Sequence, residues 1–204
     1  MSIMKKTFES SADFGEFLNR YLDVYVDAVK KLKTHDFSPL MDYLNKCHSD
    51  GKKIIVFGNG GSAANAIHLS TGLSFITRSW DRPLKSISLS ADPILLTSLA
   101  NDFSFEDVFY RQLQVHLEPG DIVLALSVSG KSKNVLKAVQ YAKDCGNAVI
   151  SLTGSNGGEL KGLSDHCVHI DSDETLFGVT EDIHMVLGHA LTYYLEYYLN
   201  KQNR

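Results

Sequence analysis

The segment Ile54-Ile55-Val56-Phe57-Gly58-Asn59-Gly60-Gly61-Ser62-Ala63-Ala64 joins a β-branched apolar run to a glycine turn and a run of small residues. The apolar run is typical of a buried strand, and the small residues favour the start of a helix. Glycines permit close backbone approach, and a helix N-terminus presents unpaired N–H groups and the positive end of its dipole. The segment therefore predicts a strand–turn–helix unit that binds an anion such as phosphate. A tight connection without a ligand is the alternative, and this motif alone does not separate the two.

Short apolar strands alternate with helices along the rest of the chain. This alternation indicates a parallel sheet that is covered on both faces by right-handed crossovers. Two amphipathic helices are predicted before the first strand, over residues 11–33 and 38–50. The later elements are predicted strands at 83–89, 121–126, 148–152 and 166–170, and helices at 93–109 (with a break near 101–102), 132–145, 158–163 and 180–200.

The size and composition of the chain limit its function. With 204 residues, we predict one domain over 1–204, made of a helical segment (1–50) and an α/β core (51–204). The net charge of -4 gives no electrostatic footprint for nucleic acid or an anionic membrane, and no apolar run is long enough to span a bilayer. The three cysteines, Cys47, Cys145 and Cys167, form no CxxC motif. A cytoplasmic protein with a small ligand fits these properties best.

Small polar residues follow three of the predicted strands, in the glycine turn, in SVSGKS (127–132) and in TGSNGG (153–158). Ligands of open α/β sheets bind at the carboxyl ends of the strands, where the strand order reverses. Serine hydroxyls and helix N-terminal amides satisfy phosphate oxygens without lysine or arginine. Helix capping by Ser132 alone is the other interpretation of the serine loop. Neither a Walker A lysine nor GxGxxG is present, which disfavours nucleotide hydrolysis and dinucleotide binding.

Five motifs, in order along the chain, carry a resemblance to a known family: GNGGSAANAIH (58–68), LANDF (99–103), GDIVLALSVSGKSKNVLKAV (120–139), LTGSNGGEL (152–160) and EDIHMVLGHAL (181–191). They resemble the sugar isomerase (SIS) domain, and more narrowly its phosphoheptose isomerase branch, which also contains the DnaA-initiator-associating protein. The resemblance implies a flavodoxin-like five-stranded parallel sheet between helices and a homotetramer with active sites between subunits. It also implies conversion of sedoheptulose 7-phosphate to D-glycero-D-manno-heptose 7-phosphate, a precursor of bacterial lipopolysaccharide or capsule.

The resemblance further implies roles for individual residues. Glu181 and His189 are eight residues apart, about 80° around a helix, so both can line one cleft. His184 lies about 140° from His189 and is expected to pack inside or against another subunit. The residues implied are Ser62, Ser127, Ser129 and Ser132 for phosphate, with Val128 where a hydroxyl is common; Asn59, Gly60 and Asp102 for the sugar; His189 and Glu181 for catalysis; and His68, Glu181 and His189 for one zinc ion per subunit.

Three positions depart from the isomerase pattern. Gly72 stands where the isomerases usually carry a glutamate that acts as base and zinc ligand. An expected arginine is Ile76, with Arg78 nearby, and an expected acidic residue is replaced near Gly178. The initiator-associating protein also lacks that glutamate. A phosphoheptose isomerase in which Glu181 replaces the base or holds zinc is therefore our leading hypothesis. The alternatives are a sugar-phosphate-binding module that acts on a DnaA-like partner and an isomerase of another sugar phosphate.

Overall fold

Five parallel strands form one sheet in the order β2-β1-β3-β4-β5, in a computed structural model that describes residues 2–78 and 83–202. This is the flavodoxin-like order, which confirms the predicted fold. The strand order reverses between β1 and β3, where Gly58 pairs with Leu126, so both strands end at the same edge. The strands are β1 Lys53–Gly58, β2 Lys85–Ser88, β3 Ile122–Ser127, β4 Ala148–Thr153 and β5 His166–His169.

Helices cover both faces of the sheet. Within the described residues they are α1 Ile3–Glu9, α2 Phe14–Lys30, α3 Ser38–Ser49, α4 Gly60–Ile76, α5 Pro93–Asp102, α6 Val108–His116, α7 Lys133–Asp144, α8 Gly158–Leu163 and α9 Phe177–Gln202, with 3₁₀ turns at Lys31–Thr34 and Phe105–Asp107. None of these helices combines the length and the apolar character that crossing a membrane requires.

Alternate strand residues point to opposite faces and build two cores. On one face, residues such as Ile54 and Val56 pack with Leu44 of α3, Leu69 of α4 and Leu195 of α9. On the other face, the neighbouring strand residues pack with α6, α7 and α8, through a set that includes Phe57, Phe109, Leu113, Val135, Val139 and Leu160. The cores therefore hold α4 and α9 together on one face, and this pair carries five of the ten predicted site residues.

The predicted element boundaries differ from the structure near the N-terminus, at α9 and after α5, where the helix predicted to end at 109 continues as α6 to His116. The structure has a short helix, α1, that the sequence patterns did not predict, and the N–H of Lys5 bonds to the hydroxyl of Ser2 at its start. The helix predicted over 11–33 begins later, because the Asp13 carboxylate caps α2 by accepting the N–H of Glu16. The last helix begins at Phe177, three residues before its predicted start, and this difference brings its first turn to the strand ends.

Candidate active site

A small pocket lies where β1 and β3 end, and we call it the serine pocket. It has a volume of about 150 Å³ and is lined by Asn59, Ser62, Leu126, Ser127, Val128, Ser129, Ser132, Phe177 and Glu181. Six of these nine residues were assigned to the phosphate, the sugar or catalysis from the sequence. None of the described residues that line it is a lysine or an arginine. Hydroxyls and helix N-termini therefore supply the donors for an anion in this pocket.

The serine loop keeps its hydroxyls directed toward the pocket. The Ser127 hydroxyl accepts the N–H of Gly130 at 3.1 Å and lies 3.4 Å from the hydroxyl of Ser132. Ser132 occupies the N-cap position of α7, yet its side chain makes no capping hydrogen bond. Its hydroxyl and the N–H groups of Lys133 and Asn134 are thus placed to meet a ligand, while the Val135 N–H bonds to the Asn134 side chain.

Asn59 is held by a second asparagine. Each side-chain amide of Asn59 and Asn134 donates to the other's carbonyl oxygen at 2.9 Å. Asn134 is buried in the first turn of α7. The two amides tie the glycine turn after β1 to the helix after β3, and they fix the separation of the two walls of the pocket.

Glu181 extends from the first turns of α9 to the N-terminus of α4. A β-carbon on Gly61 would lie 2.1 Å from Glu181 Oε2, so only glycine allows this approach. Burial raises the pKa of the Glu181 carboxyl above its ordinary value, and the hydrogen bond from the N–H of Ser62 opposes that rise in part. Asn65 fixes the same turn of α9, because its side-chain NH₂ donates to the Glu181 carbonyl at 2.9 Å. The carboxylate therefore occupies the end of α4 at which an anion is favoured.

Helices α4 and α9 pack in register along one line of contact, which we call the seam. Gly72 follows Gly61 by eleven residues, and Thr192 follows Glu181 by eleven residues. Eleven residues make about three helical turns, so each pair of residues lies on one face of its helix. Because Gly61 meets Glu181 and Gly72 meets Thr192, the two helices run parallel.

The seam brings two predicted site residues into direct contact. Nε2 of His68 and Nε2 of His189 are 2.8 Å apart, with the ring planes at 85°. One ring must donate an N–H and the other must accept it, because a neutral imidazole has one donor and one acceptor. Both side chains are exposed at the surface of the single chain. We call these two residues the histidine pair.

Other predicted site residues lie apart from these two features. Asp102 lies at the exposed end of α5, where its carboxylate accepts a hydrogen bond from Asn101, and it does not line the serine pocket. Gly60 begins α4 with a φ of 55°, a backbone conformation that favours glycine. His184 is buried under the sheet edge with its Nε2 3.4 Å from the Thr153 carbonyl, which agrees with the expected packing role.

The predicted zinc ligands do not come together as one donor set. Among the described residues, no group of three or more histidine, cysteine, aspartate or glutamate side chains is placed to hold a metal ion. His68 and His189 meet, whereas Glu181 points to the serine pocket. A catalytic zinc site commonly has three protein ligands, and these residues do not fit one. Zinc binding therefore stays a prediction.

Known proteins resemble this chain over most of its length. The SIS domain family profile matches residues 17–154. A probable phosphoheptose isomerase from Thermoplasma acidophilum is 37% identical over 172 residues, which cover 84% of this chain and 93% of the relative. A phosphoheptose isomerase from Aquifex aeolicus is 34% identical over 92% of both chains. This chain belongs to the SIS domain family, in its phosphoheptose isomerase branch.

Solved structures of the family have the same fold as this SIS domain. A phosphoheptose isomerase from Neisseria gonorrhoeae superposes with a TM-score of 0.80 at 26% identity, over 88% of this chain and 97% of that one. A phosphoheptose isomerase from Francisella tularensis superposes with a TM-score of 0.81 at 27% identity, over 88% and 96% of the respective chains.

Sequence reasoning missed two residues of this SIS site. Asn134 is buried opposite Asn59, and its place two residues after Ser132, at the start of a helix, was the available signal. Phe177 lines the serine pocket with half of its surface exposed. It lies one helical turn before Glu181, so the helical period could have identified it if the start of α9 had been placed correctly.

Proposed function

We propose that this chain is a phosphoheptose isomerase that interconverts sedoheptulose 7-phosphate and D-glycero-D-manno-heptose 7-phosphate. The observation that carries the proposal is the presence of the serine pocket and the histidine pair on the same helix, α4. An anion site and a pair of proton-transfer groups at a fixed separation are what a sugar-phosphate isomerase requires.

The phosphate binds in the serine pocket. The hydroxyls of Ser62, Ser127, Ser129 and Ser132 all line it, together with the N-termini of α4 and α7. Charge-assisted hydrogen bonds from hydroxyls and N–H groups stabilise a phosphate in a site that has no cationic side chain.

The separation of the two features fits a seven-carbon chain. Ser62 and His68 are six residues apart on α4, a rise of about 9 Å at 1.5 Å per residue. An extended seven-carbon chain spans roughly 8 Å from C1 to C7, given carbon–carbon bonds of about 1.5 Å. The rise along α4 is comparable with this length, so a 7-phosphate in the serine pocket would direct C1 and C2 toward the end of the seam that carries the histidine pair.

The reaction moves one proton between two neighbouring carbons. A base removes a proton from C1 of the ketose while the C2 carbonyl oxygen gains one, which gives an enediol. Return of a proton to C2 and loss of the O1 proton then place the carbonyl at C1. His189 is the acid/base in this proposal, with His68 as its hydrogen-bonded partner, since an imidazole ring can both accept and donate a proton.

Glu181 is the second proposed acid/base, and it lies at the end of the site that binds the phosphate. In the structure its carboxylate accepts the N–H of Ser62, in the place that an incoming phosphate prefers. Two anions repel at this distance, so phosphate binding turns the Glu181 side chain along α9 toward the reacting carbons. There the carboxylate can serve as the second acid/base, in place of the glutamate that is absent at Gly72.

We also place this isomerase in the cytoplasm as a homotetramer whose product enters bacterial surface polysaccharide synthesis. All three cysteines lie in the described part of the chain as free thiols, which supports a reducing compartment. A row of exposed apolar side chains on α2, at four-residue spacing, supports burial against other subunits: Phe14, Leu18, Leu22 and Val26.

Incubation with sedoheptulose 7-phosphate in deuterated water tests the proposed function. We expect deuterium to enter at C1 of the ketose and C2 of the aldose, and His189→Ala to reduce incorporation by roughly 10² or more. A matched control is His116→Ala, at the last turn of α6 and outside the site. If no sugar phosphate in a panel exchanges while phosphate esters still bind, the chain is instead a binding module that acts through protein contacts.

A further inference from the structure

We propose that the packing of α4 against α9 along the seam holds the two imidazoles of the histidine pair in a direct hydrogen bond. The histidine pair therefore forms without a zinc ion. The contact between Gly72 and Thr192 holds α4 and α9 at the separation at which that pair forms. The inference deepens the proposed function, because it makes Thr192 a positioning residue for the acid/base His189. Its test does not depend on turnover.

The seam is also tight one turn beyond the histidine pair. A β-carbon on Gly72 would lie 2.9 Å from Cγ2 of Thr192, closer than real β-carbons approach a neighbour. Gly188 also packs against Leu69, at 3.5 Å from a β-carbon built on the glycine. Glycines on both helices therefore bring the two backbones close on either side of the pair, and the Thr192 methyl fills the remaining space.

The orientation of Thr192 is fixed by its own hydroxyl. Oγ1 of Thr192 donates to the carbonyl oxygen of His189 at 2.9 Å, a bond within one helical turn. A β-branched side chain has few rotamers in a helix, so this bond directs the methyl Cγ2 toward Gly72. The same side chain thus contacts the turn that carries His189 and the facing helix.

The geometry of the histidine pair suits a shared proton better than a metal. Two imidazole nitrogens on a tetrahedral zinc ion, each about 2.0 to 2.1 Å from it, are roughly 3.3 Å apart. The observed separation of 2.8 Å is an ordinary N–H···N distance. Residue 72 has no side chain to act as a third donor, and the facing position on α9 is occupied by a methyl group. The seam would have to widen to admit the ion.

Variants that move a methyl group from Thr192 to residue 72 test the contact directly. In protein labelled with ¹⁵N-histidine, we expect a scalar coupling between the two Nε2 nuclei, because such coupling passes only through a hydrogen bond. Gly72→Ala adds a methyl to a filled space, so the coupling should be lost. Thr192→Ser removes the methyl but keeps the hydroxyl, so the coupling should weaken. The double variant moves the methyl from one helix to the other and should restore it.

The transfer of the methyl group between the two helices distinguishes a positioning role of Thr192 from a general effect on protein stability. Thr97→Ser on α5 is a matched control, since the Thr97 hydroxyl makes the same type of bond, to the carbonyl of Pro93. This control should leave the coupling unchanged. If Gly72→Ala does not fold, the comparison of Thr192→Ser with the double variant still decides the question. A coupling that survives Gly72→Ala, or that the double variant fails to recover, overturns the assignment of the contact.

A zinc titration tests the second half of the proposal. We expect zinc to bind wild-type protein and His68→Ala with affinities that differ less than threefold, because the pair does not form a metal site. The metal-free pair is overturned if the wild type binds one zinc ion per chain and this affinity falls tenfold or more in both His68→Ala and His189→Ala. The coupling measurement and the titration use the full chain without substrate, so failure of the proposed isomerisation leaves both results interpretable.

Discussion

Glu181 lies so close to Gly61 that its carboxylate takes the space of a side chain on the facing helix. A β-carbon at residue 61 would lie 2.1, 2.3 and 2.6 Å from Oε2, Cδ and Oε1 of Glu181. The carboxylate accepts the N–H of Ser62 there, at the positive end of α4. The glycine turn after β1 therefore positions the carboxylate that we propose as an acid/base, and it also forms a wall of the serine pocket.

Gly61→Ala should lower activity without lowering stability. Alanine favours a helix by about 1 kcal/mol over glycine, but its methyl takes the space that the Glu181 carboxylate occupies beside α4 and crosses on its way to the reacting carbons. We expect kcat to fall roughly tenfold or more, with an unchanged or raised unfolding temperature. Gly162→Ala in α8 is the control, because a β-carbon there meets no atom within 4 Å. Equal kcat values in both variants would contradict the role of the contact.

Glu181→Gln should separate the charge of this residue from its shape. The amide keeps an oxygen that accepts the Ser62 N–H but removes a negative charge from the serine pocket. We expect inorganic phosphate to bind roughly tenfold more tightly, because repulsion between two anions at this distance is lost. At the same time kcat should fall by roughly 10² or more, since an amide cannot transfer a proton. Calorimetry and steady-state kinetics check the two effects, and weaker phosphate binding would refute the predicted repulsion.

Local sequence patterns were sufficient to predict the strand ends and a helix-covered parallel sheet, whereas the flavodoxin-like fold was implied by the family resemblance. The glycine turn and the serine loop at 127–132 each follow a buried strand, and parallel strands end at one edge, so their meeting followed from topology. The contact between Asn59 and Asn134 joins residues that are far apart in sequence, and no period reveals such a pair.

Side-chain directions and the register of packed helices were not predictable. Helical spacing allowed Glu181 and His189 to line one cleft, yet the carboxylate points to Gly61 and the imidazole to His68. That difference depends on how α4 and α9 pack, which no single helix encodes. Asp102 shows a related limit. Its motif predicted a site residue, but in the single chain Asp102 does not line the serine pocket.

Ser132→Ala should weaken phosphate binding and leave α7 stable. Loss of an N-cap side chain usually costs about 1 kcal/mol, but the Ser132 hydroxyl makes no capping bond. We expect KM for the sugar phosphate to rise roughly tenfold, the cost of one hydrogen bond to a charged group. Asp13→Ala is the reverse control, because that carboxylate does cap α2. It should lower the free energy of unfolding by about 1 kcal/mol without a change in KM.

Phe177→Ala should reduce affinity for the sugar but not for phosphate. The ring lines the serine pocket with half of its surface exposed, so the sugar chain of a ligand whose phosphate fills the pocket can pack against it. Burial of part of an aromatic ring contributes about 1 kcal/mol, which predicts a roughly fivefold rise in the Kd of a heptose phosphate. The Kd of inorganic phosphate should stay constant, and Phe105→Ala, an exposed phenylalanine outside this pocket, should change neither. Parallel losses for both ligands would show that Phe177 only supports the fold.

His184 should make the protein less stable in mild acid. Burial lowers the pKa of this histidine to about 4, from an ordinary value of 6.5, and its Nδ1 has no hydrogen-bond partner. Because the unfolded chain binds the proton more tightly, the stability contributed by the neutral ring is present above pH 6.5 and is lost as the pH falls toward 4. The loss reaches about 3 kcal/mol at 1.36 kcal/mol per pKa unit. In His184→Gln, the free energy of unfolding should depend less on pH between 4 and 6.5 than in the wild type. His48→Gln, at the C-terminal end of α3, provides a comparison outside this site. Denaturant unfolding at several pH values measures the difference, and identical slopes for wild type and His184→Gln would exclude His184 as the source.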